Sequence, residues 1–340
     1  MLFAVAVTCH ACGESLEDDA RFCGMCGAVL ADANFGRVIA GRYLLKQRIA
    51  AGSLGVLYRA EQRGTRRQVA IKLLPDTALR DPQTIERFHR EGQVLCSLRS
   101  QHSITTYEFD REPDGTLYIA MELSPGRSLA RVLRDDGPLE WPRVLRILLG
   151  LCDSLGEAHA MGVIHRDLKP ENILVEERPA NRQFVKVSDF GLARVLSANL
   201  RISPIGQAVG SVEFSAPEQL LDRPIDARAD LYGMGVLAFL LITGMHPFHA
   251  ARTFGDMVAA HVQVPAPALS SLRPDVSPDV DALVSRLLEK DPARRYPDAT
   301  ALAAQIQLIL SGAPPEPGAT IPTLEGEEDT FLAEIPKPRS

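Results

Sequence analysis

The sequence has no long uninterrupted run of apolar residues. The best candidate, residues 236–242, lies between glycines and falls far short of the roughly 18 apolar residues that a membrane-spanning helix needs. Residues 1–7 are apolar, but they have neither the basic flank nor the cleavage site of a signal peptide. We therefore expect a cytosolic (cytoplasmic) protein without a membrane span.

The sequence also lacks an excess of basic residues. Its 37 lysines and arginines are outnumbered by 43 aspartates and glutamates, which gives a formal net charge of -6 at pH 7. A nucleic-acid-binding protein usually carries a basic face, so nucleic acid is not an expected partner. With 340 residues, of which 46% are hydrophobic, the chain is long enough for two substantial lobes and small appendages.

Cysteine is scarce, and its six occurrences are unevenly placed. Cys9 and Cys12 form one C-x-x-C pair, and Cys23 and Cys26 form another after ten intervening residues. Two such pairs are typical of a tetrahedral zinc site. A disulfide pair is disfavoured in a reducing cytosol, and a redox C-x-x-C would need a thioredoxin-like setting. The segment resembles a small zinc ribbon, with His10 as a solvated neighbour because four thiolates complete the coordination.

The most informative stretch runs from residue 165 to residue 191 and begins His-Arg-Asp-Leu-Lys-Pro-Glu-Asn. Phosphoryl transfer to a hydroxyl needs a carboxylate that accepts the hydroxyl proton, oxygen ligands for magnesium and a cation. Asp167 can be that carboxylate, and Lys169 can supply the cation. Asn172 and Asp189 can hold magnesium through oxygen.

Two short apolar runs, residues 173–175 and 184–187, predict strands that support these groups. Residues 176–183 between them are predicted to lengthen this hairpin as a solvent-facing insert. The whole stretch, with Asp-Phe-Gly at its end, resembles the catalytic and metal-binding loops of the eukaryotic-type protein kinase family. The lysine two residues after the aspartate is the form found in serine/threonine kinases. The alternative, a charged surface loop, would require a chance match at eight specified positions.

This resemblance implies both an architecture and a chemistry. The architecture is an α+β, two-lobed protein kinase fold, with a small β-rich N-lobe and a large helical C-lobe. The cofactors would be ATP and Mg²⁺, in addition to structural Zn²⁺ in the ribbon. The partners would be proteins with serine or threonine hydroxyls.

The region before the catalytic stretch resembles the glycine-rich loop of kinases. Residues 43–58 have the pattern of two strands, and the turn between them contains Gly52 and Gly55. Glycines there let backbone amides approach the ATP phosphates closely. Ala50 and Leu57 depart from the family pattern G-x-G-x-x-G-x-V, so the loop alone is a weak signal that an ordinary hairpin turn would also give.

A Val-Ala-Ile-Lys motif follows and ends at Lys72. The resemblance assigns this lysine to the α- and β-phosphates and to an ion pair with a glutamate on the next helix. That helix is predicted over residues 81–98, where Glu91 has the expected position and Glu86 is the competing choice. Cys96 lies in the apolar pattern of this helix and is expected in the core.

A buried strand is predicted over residues 117–122, where the chain leaves the small lobe. The resemblance places Met121 behind the adenine and lets the backbone of Glu122 and Ser124 recognise the adenine edge. The residues that the resemblance assigns to nucleotide binding are Ile49, Ala50, Gly52, Gly55, Leu57, Ala70, Lys72, Met121, Glu122, Ser124, Leu174 and Asp189.

The large lobe is predicted to be mostly helical, with an amphipathic helix over residues 141–161 that places Cys152 in the core. Asp230 lies near the start of a second, buried helix. The resemblance has Asp230 accept hydrogen bonds from the catalytic loop, and a carboxylate there can also cap the helix. The resemblance further pairs Arg295 with Glu218.

Residues 192–218 correspond to the activation segment of the family and contain no threonine. Ser211 keeps the hydroxyl expected beside the catalytic aspartate and lysine. If phosphorylation orders the segment, Ser203 or Ser197 would carry the phosphate and Arg166 would pair with it. The segment can also be ordered without modification.

We predict four parts in chain order: a zinc ribbon at 1–30, a linker at 31–42, a protein kinase domain at 43–310 and a disordered tail rich in proline and acidic residues at 311–340. The tail contains Thr320, Thr323 and Thr330. These could be autophosphorylated and read by phosphothreonine-binding partners, or the tail could simply be solubilising.

The predicted function is that of a bacterial-type serine/threonine protein kinase that phosphorylates proteins, including itself. A pseudokinase scaffold that binds nucleotide and partners without transferring phosphate is the alternative, supported by Ala50 and by Gly-Ser-Val-Glu-Phe at 210–214. A third hypothesis is that the ribbon sets the biology by recruiting a partner protein.

Overall fold

The computed structural model describes residues 7–8, 12, 15–16, 25–26, 32, 34–52, 55–74, 92–178, 182–190 and 212–312. The strands are β1 Val7–Thr8, β2 Ser15–Leu16, β3 Val38–Ile39, β4 Tyr43–Gly52, β5 Gly55–Gln62, β6 Arg67–Leu73, β7 Thr106–Arg111, β8 Leu117–Glu122, β9 Arg127–Ser128, β10 Ile173–Arg178 and β11 Arg182–Val187. The α-helices are α1 Leu129–Asp136, α2 Trp141–Ala160, α3 Pro217–Leu220, α4 Arg228–Thr243, α5 Phe254–Gln263, α6 Pro278–Leu287 and α7 Ala299–Gly312.

The small lobe is built on a six-stranded antiparallel sheet with the order β3-β4-β5-β6-β8-β7. Successive side chains of a strand point to opposite faces, and here both faces of the central strands are covered. Val69 and Ile71 of β6 belong to one apolar cluster, whereas Ala70 belongs to another with Met121. The predicted strands of this lobe, including the buried strand at 117–122, are confirmed.

The sheet begins earlier in the chain than the sequence predicted. Val38 and Ile39 lie in the predicted linker, but they form β3, which pairs with the start of β4. Ile39 is fully buried in the small-lobe core. A two-residue strand is too short to show alternation, so only its pairing partner reveals it.

The large lobe is helical and has one continuous apolar core. Helix α2 lies along it and buries one face, and α4 is buried along nearly its whole length. A helix that is apolar on all sides is expected at the centre of a domain rather than at its surface. Cys152, on α2, is buried in this core, as predicted.

A three-stranded sheet with the order β11-β10-β9 carries the predicted catalytic stretch. The strands predicted over 173–175 and 184–187 are confirmed. Glu176 pairs with Phe184 and Glu177 with Gln183, so residues of the predicted insert lengthen this hairpin, as expected. Ladder hydrogen bonds form regardless of side-chain polarity, which lets the polar ends of both strands continue the pairing.

The helix predicted over residues 81–98 lies partly outside the described residues. Residues 92–95 are helical, and Cys96 follows in a turn and is only half-buried, so the prediction that Cys96 is a core residue is wrong. Across the described ranges, no helix is both long enough and apolar enough to cross a membrane.

Candidate active site

Asp167 lies in the loop between α2 and β10 and is 7% exposed. Its Oδ2 accepts a hydrogen bond from Lys169 Nζ at 2.7 Å and a second from Asn172 Nδ2 at 3.2 Å. The Asp167 amide in turn donates to His165 Nδ1 at 3.3 Å. Three residues predicted to act in catalysis are therefore in direct contact.

Asp230, in the first turn of α4, binds the backbone of this loop. One of its carboxylate oxygens accepts from the amide of His165 and the other from the amide of Arg166, both at 2.8 Å. His159 Nε2 lies 2.7 Å from Asp230 Oδ2. Helix α4 has no side-chain cap at Ala227, so of the two predicted roles of Asp230 the contact with the loop is the one observed.

The two predicted magnesium ligands are fixed relative to each other through backbone contacts. Asn172 Nδ2 donates to the Asp167 carbonyl at 2.7 Å. The Asn172 carbonyl accepts from both the amide and the hydroxyl of Ser188, each at 2.9 Å, and Asp189 follows directly. A carboxylate and an amide oxygen form a donor set that suits Mg²⁺, so these residues fit the ion.

Lys72 brings a cation to the same place from the small lobe. It is 7% exposed, and its Nζ lies 2.7 Å from Asp189 Oδ1. The predicted phosphate-binding lysine and the predicted metal-binding aspartate are thus adjacent. Glu91 and the competing Glu86 lie outside the described residues.

The glycine-rich loop joins β4 to β5, and Gly52 pairs with Gly55 at its tip. Gly55 has φ +118°, and a Cβ there would lie 2.1 Å from the Leu73 carbonyl oxygen, so no other residue fits. Ala50 and Leu57, the two departures from the family pattern, are paired with each other across the hairpin.

The apolar residues assigned to the adenine come together in one place. Ala70 pairs with Met121 between β6 and β8. Both are buried in one small apolar cluster, against which Leu57 and Leu174 also pack. Ile49, by contrast, is 46% exposed.

Glu122 and Ser124 lie at the connection between the lobes. Ser124 Oγ donates to Glu176 Oε1 at 2.8 Å and accepts from the Gly126 amide at 3.1 Å. The Glu122 amide donates to the Thr105 carbonyl at 2.8 Å, so the groups predicted to meet an adenine edge are the Glu122 carbonyl and the Ser124 amide. Their assignment remains a prediction.

An ion pair behind this connection was not predicted. Lys186 Nζ lies 3.0 Å from Glu122 Oε2 and also donates to the Gln101 carbonyl at 3.1 Å. Lys186 is 8% exposed. A lysine within the otherwise apolar run 184–187 was the available signal, because a buried charge needs a partner.

The pair predicted between Arg295 and Glu218 is confirmed. Arg295 Nη1 and Nη2 contact the two Glu218 carboxylate oxygens at 2.6 and 2.9 Å, and both residues are buried. The predicted activation-segment serines Ser197, Ser203 and Ser211 lie outside the described residues.

Of the predicted zinc ligands, Cys12 and Cys26 are described and exposed, whereas Cys9 and Cys23 lie outside the described residues. Strands β1 and β2 pair Thr8 with Ser15, which closes a hairpin around the first C-x-x-C. Such a hairpin fits a zinc knuckle. The described ranges, which omit two of these cysteines, contain no group of three or more potential metal ligands.

Two protein-family models match the chain. One, described as a protein kinase domain, matches residues 43–306, and the other, described as a zinc-ribbon domain, matches residues 8–30. The first covers most of the chain.

Curated relatives are similar over most of the chain. Serine/threonine-protein kinase pkn3 of Myxococcus xanthus is 37% identical over 283 residues, which cover 82% of this chain and 52% of the relative. Serine/threonine-protein kinase PknH of Mycobacterium tuberculosis is 33% identical over 311 residues, which cover 91% of this chain and 48% of the relative. The chain therefore spans about half the length of these relatives.

Among solved structures, the PknI kinase domain of Mycobacterium tuberculosis is similar to this chain. The TM-score is 0.64 at 26% sequence identity, with 82% of this chain and 99% of that chain covered.

Proposed function

The chain belongs to the protein kinase family, and from this membership we propose that it transfers the γ-phosphoryl group of ATP to serine and threonine hydroxyls of proteins, itself included. The observation that carries the proposal is the arrangement around Asp167. Lys169 and Asn172 both donate hydrogen bonds to its Oδ2. Lys72 of the small lobe forms an ion pair with Asp189.

In the proposed mechanism Asp167 orients the substrate hydroxyl. Because two donors already bind its Oδ2, the oxygen left free by the described residues is Oδ1. Oδ1 accepts a hydrogen bond from the substrate hydroxyl and then takes its proton during transfer. Lys169 offsets negative charge beside the attacking oxygen, and Lys72 does so on the phosphate side. Asn172 and Asp189 would hold Mg²⁺, which neutralises phosphate charge when bound.

The nucleotide is proposed to lie between the lobes. Its adenine would contact the apolar cluster that contains Ala70, Met121 and Leu174, and its phosphates would meet the backbone near Gly52 and Gly55. We further propose the boundaries 1–30 for a zinc-binding ribbon, 31–42 for the linker, 43–310 for the kinase domain and 311–340 for the tail.

The test compares the wild-type protein with Asp167→Asn, using radiolabelled ATP and Mg²⁺. Wild type should label itself or a generic protein, and the variant should lose about 100-fold or more of that activity because the proton acceptor is gone. ATP binding by calorimetry and thermal unfolding of both proteins serve as controls for an intact site. Mapping the labelled residues would show whether activation-segment serines or tail threonines are phosphorylated. A phosphorylated tail threonine would then be a candidate binding site for a phosphothreonine-binding partner.

A scaffold that binds ATP without transferring phosphate is the second candidate. The observation in its favour is Ala50, which replaces the first glycine of the loop and faces Leu57 in the hairpin. If neither protein is labelled while ATP still binds, this candidate replaces the first.

A further inference from the structure

A short segment next to the catalytic loop is held in place by side chains from other parts of the large lobe. Val212–Phe214 form one turn of 3-10 helix just before the Ala-Pro-Glu motif. Gln219 ties this region to the catalytic loop, because its Oε1 accepts from the Ala216 amide at 2.9 Å and its Nε2 donates to the Arg166 carbonyl at 3.1 Å. A Cβ on Gly233 would lie 3.4 Å from both Leu168 Cβ and the Phe214 carbonyl oxygen, so Val212–Phe214 lies beside the loop that carries Asp167, where a protein substrate would bring its hydroxyl.

His246, in the turn after α4, binds this segment directly. Its Nε2 donates to the Glu213 carbonyl at 2.7 Å, and its Nδ1 accepts from the Phe248 amide at 3.0 Å. These partners fix the neutral tautomer with hydrogen on Nε2, since a second hydrogen on Nδ1 would oppose the Phe248 N–H. The ring also meets Phe214 edge-on, with centroids 6.1 Å apart.

A second imidazole, His261 of α5, lies behind the first and is fully buried. Its Nδ1 lies 2.9 Å from the Tyr232 hydroxyl, and Lys290 Nζ lies 3.4 Å from the same hydroxyl. An ammonium group only donates, so the Tyr232 oxygen accepts from Lys290 and its hydrogen is directed to His261 Nδ1. The hydrogen of neutral His261 is then on Nε2, a buried atom with no hydrogen-bond partner among the described residues.

The two imidazoles pack against each other, with ring centroids 5.6 Å apart. Burial, assisted by repulsion from His246 and Lys290, lowers the pKa of His261 to about 3, and the Glu213 carbonyl opposes that shift. Burial also lowers the pKa of His246, opposed by the same carbonyl. Both rings are therefore neutral near neutral pH, and His246 donates to the Glu213 carbonyl while His261 supports the His246 ring from behind.

We propose that His246, supported by His261, is a positioning residue that holds the Glu213 carbonyl and so fixes Val212–Phe214 as the surface on which the protein substrate rests. The inference rests on the proposed kinase function and adds a residue that affects the protein substrate but not ATP.

The test uses His246→Leu and His246→Gln, with myelin basic protein as the substrate. The leucine variant loses the donor, and its KM for the protein should rise about tenfold, with KM for ATP unchanged. The glutamine variant keeps an N–H donor and should return to within about threefold of wild type. His261→Phe, which keeps a ring, should raise KM for the protein by about twofold.

His249→Ala is the matched control. Its imidazole belongs to the same turn and contacts the His246 carbonyl rather than Glu213. Its KM for the protein should equal that of wild type. If His246→Leu leaves this KM unchanged, or if the folded glutamine variant is as impaired as the leucine variant, the proposal is wrong.

A second measurement separates this proposal from the proposed function. The Ser215 amide donates to the Val212 carbonyl at 3.1 Å and reports on the segment through hydrogen exchange. If the wild type transfers no phosphate, faster exchange at Ser215 in His246→Leu than in His249→Ala would still support the positioning role. Equal exchange would overturn it.

Discussion

Two residues of the site, Arg166 and Asp189, have left-handed backbone conformations, with φ of 66° and 62°. This conformation costs about 1–2 kcal/mol for a residue with a Cβ. The Arg166 amide is held by Asp230 at 2.8 Å, and the Asp189 carboxylate by Lys72 at 2.7 Å. Asp230 and Lys72 therefore stabilise the backbone shape of the site as well as its charges.

The buried His261 predicts a pH dependence of stability. Its pKa is about 3 in the folded protein, chiefly because of burial, and about 6.5 in the unfolded chain. Between these values the unfolded chain binds a proton that the folded protein does not, so the free energy of unfolding falls as pH falls. The slope approaches about 1.4 kcal/mol per pH unit well below pH 6.5.

Urea unfolding of wild type and His261→Gln between pH 7 and pH 5 measures this effect. The variant should lose less stability on acidification than wild type, although it is less stable at pH 7. His246, Lys290 and Tyr232 face the ring and are present in both proteins, so the difference in slope belongs to His261. An exposed control, His249→Gln, should keep the wild-type slope. Parallel slopes for wild type and His261→Gln would contradict the prediction.

At the residue scale, the contacts that could be predicted from the sequence are those between residues of recognisable motifs. The contact between Arg295 and Glu218 was predicted and is observed. The contacts of His246 with Glu213 and of Lys186 with Glu122 were not predicted, because these residues belong to no motif that names a partner for them. Asp230 had two possible partners in the sequence, and only the fold decides between them.

At the scale of elements, α4 is packed so closely that one of its glycines is required. A Cβ on Gly235 would lie 2.7 Å from Leu287 Cβ and 3.2 Å from Leu288 Cδ2. Gly235→Ala gains up to about 1 kcal/mol of helix propensity but overpacks the contact with α6, which typically costs about 1–3 kcal/mol. We expect a net loss of stability, measured as a lower urea midpoint.

Gly156→Ala is the control for this prediction. Gly156 lies inside α2, and the nearest atom to a new Cβ is Ala299 Cβ at 3.8 Å, an ordinary contact. Because the new methyl group meets no clash, the gain in helix propensity should remain, and the urea midpoint of unfolding should rise above that of wild type. A Gly235→Ala protein as stable as Gly156→Ala would show that α4 and α6 can separate without loss.

Elements with several turns or alternations were predictable, and short ones were not. Helix α2 shows helical periodicity along its length, and strand β8 stands out as a run of five apolar residues before Glu122. Strand β3 has only two residues, so its pairing depends on a neighbouring strand that a local pattern does not contain. Tertiary context decides such cases.

At the scale of the whole molecule, the chain that leads from the ribbon is attached to the small lobe. Asp32 Oδ1 accepts from the Tyr58 hydroxyl at 2.9 Å, and Asn34 Nδ2 donates to the same hydroxyl at 3.2 Å. Arg37 pairs with Asp114 at 2.6 Å. The small lobe thus contacts residues 32–37, which follow the zinc-ribbon match, through side chains other than cysteine.

We expect bound zinc to determine the stability of the ribbon and to contribute little to the stability of the kinase domain. A segment this small buries little apolar surface, so zinc would supply most of its folding energy. In the part of the chain that the structure describes, the cores of the large lobe and of the six-stranded sheet contain neither Cys12 nor Cys26. Purified protein should hold about one zinc per chain, and Cys12→Ser should lose it while the main thermal transition stays within about 2 °C of wild type.

Cys96→Ser is the matched control, because this half-buried thiol lies outside both C-x-x-C pairs. It should retain zinc, as measured by atomic absorption and by release to a chromogenic chelator. Retention of zinc by Cys12→Ser would contradict the four-cysteine site. A main transition that falls by much more than about 2 °C on zinc loss would mean that the ribbon packs on the kinase domain and stabilises it. Unchanged transfer activity with zinc removed would restrict the ribbon to a separate role, such as recruiting a partner protein.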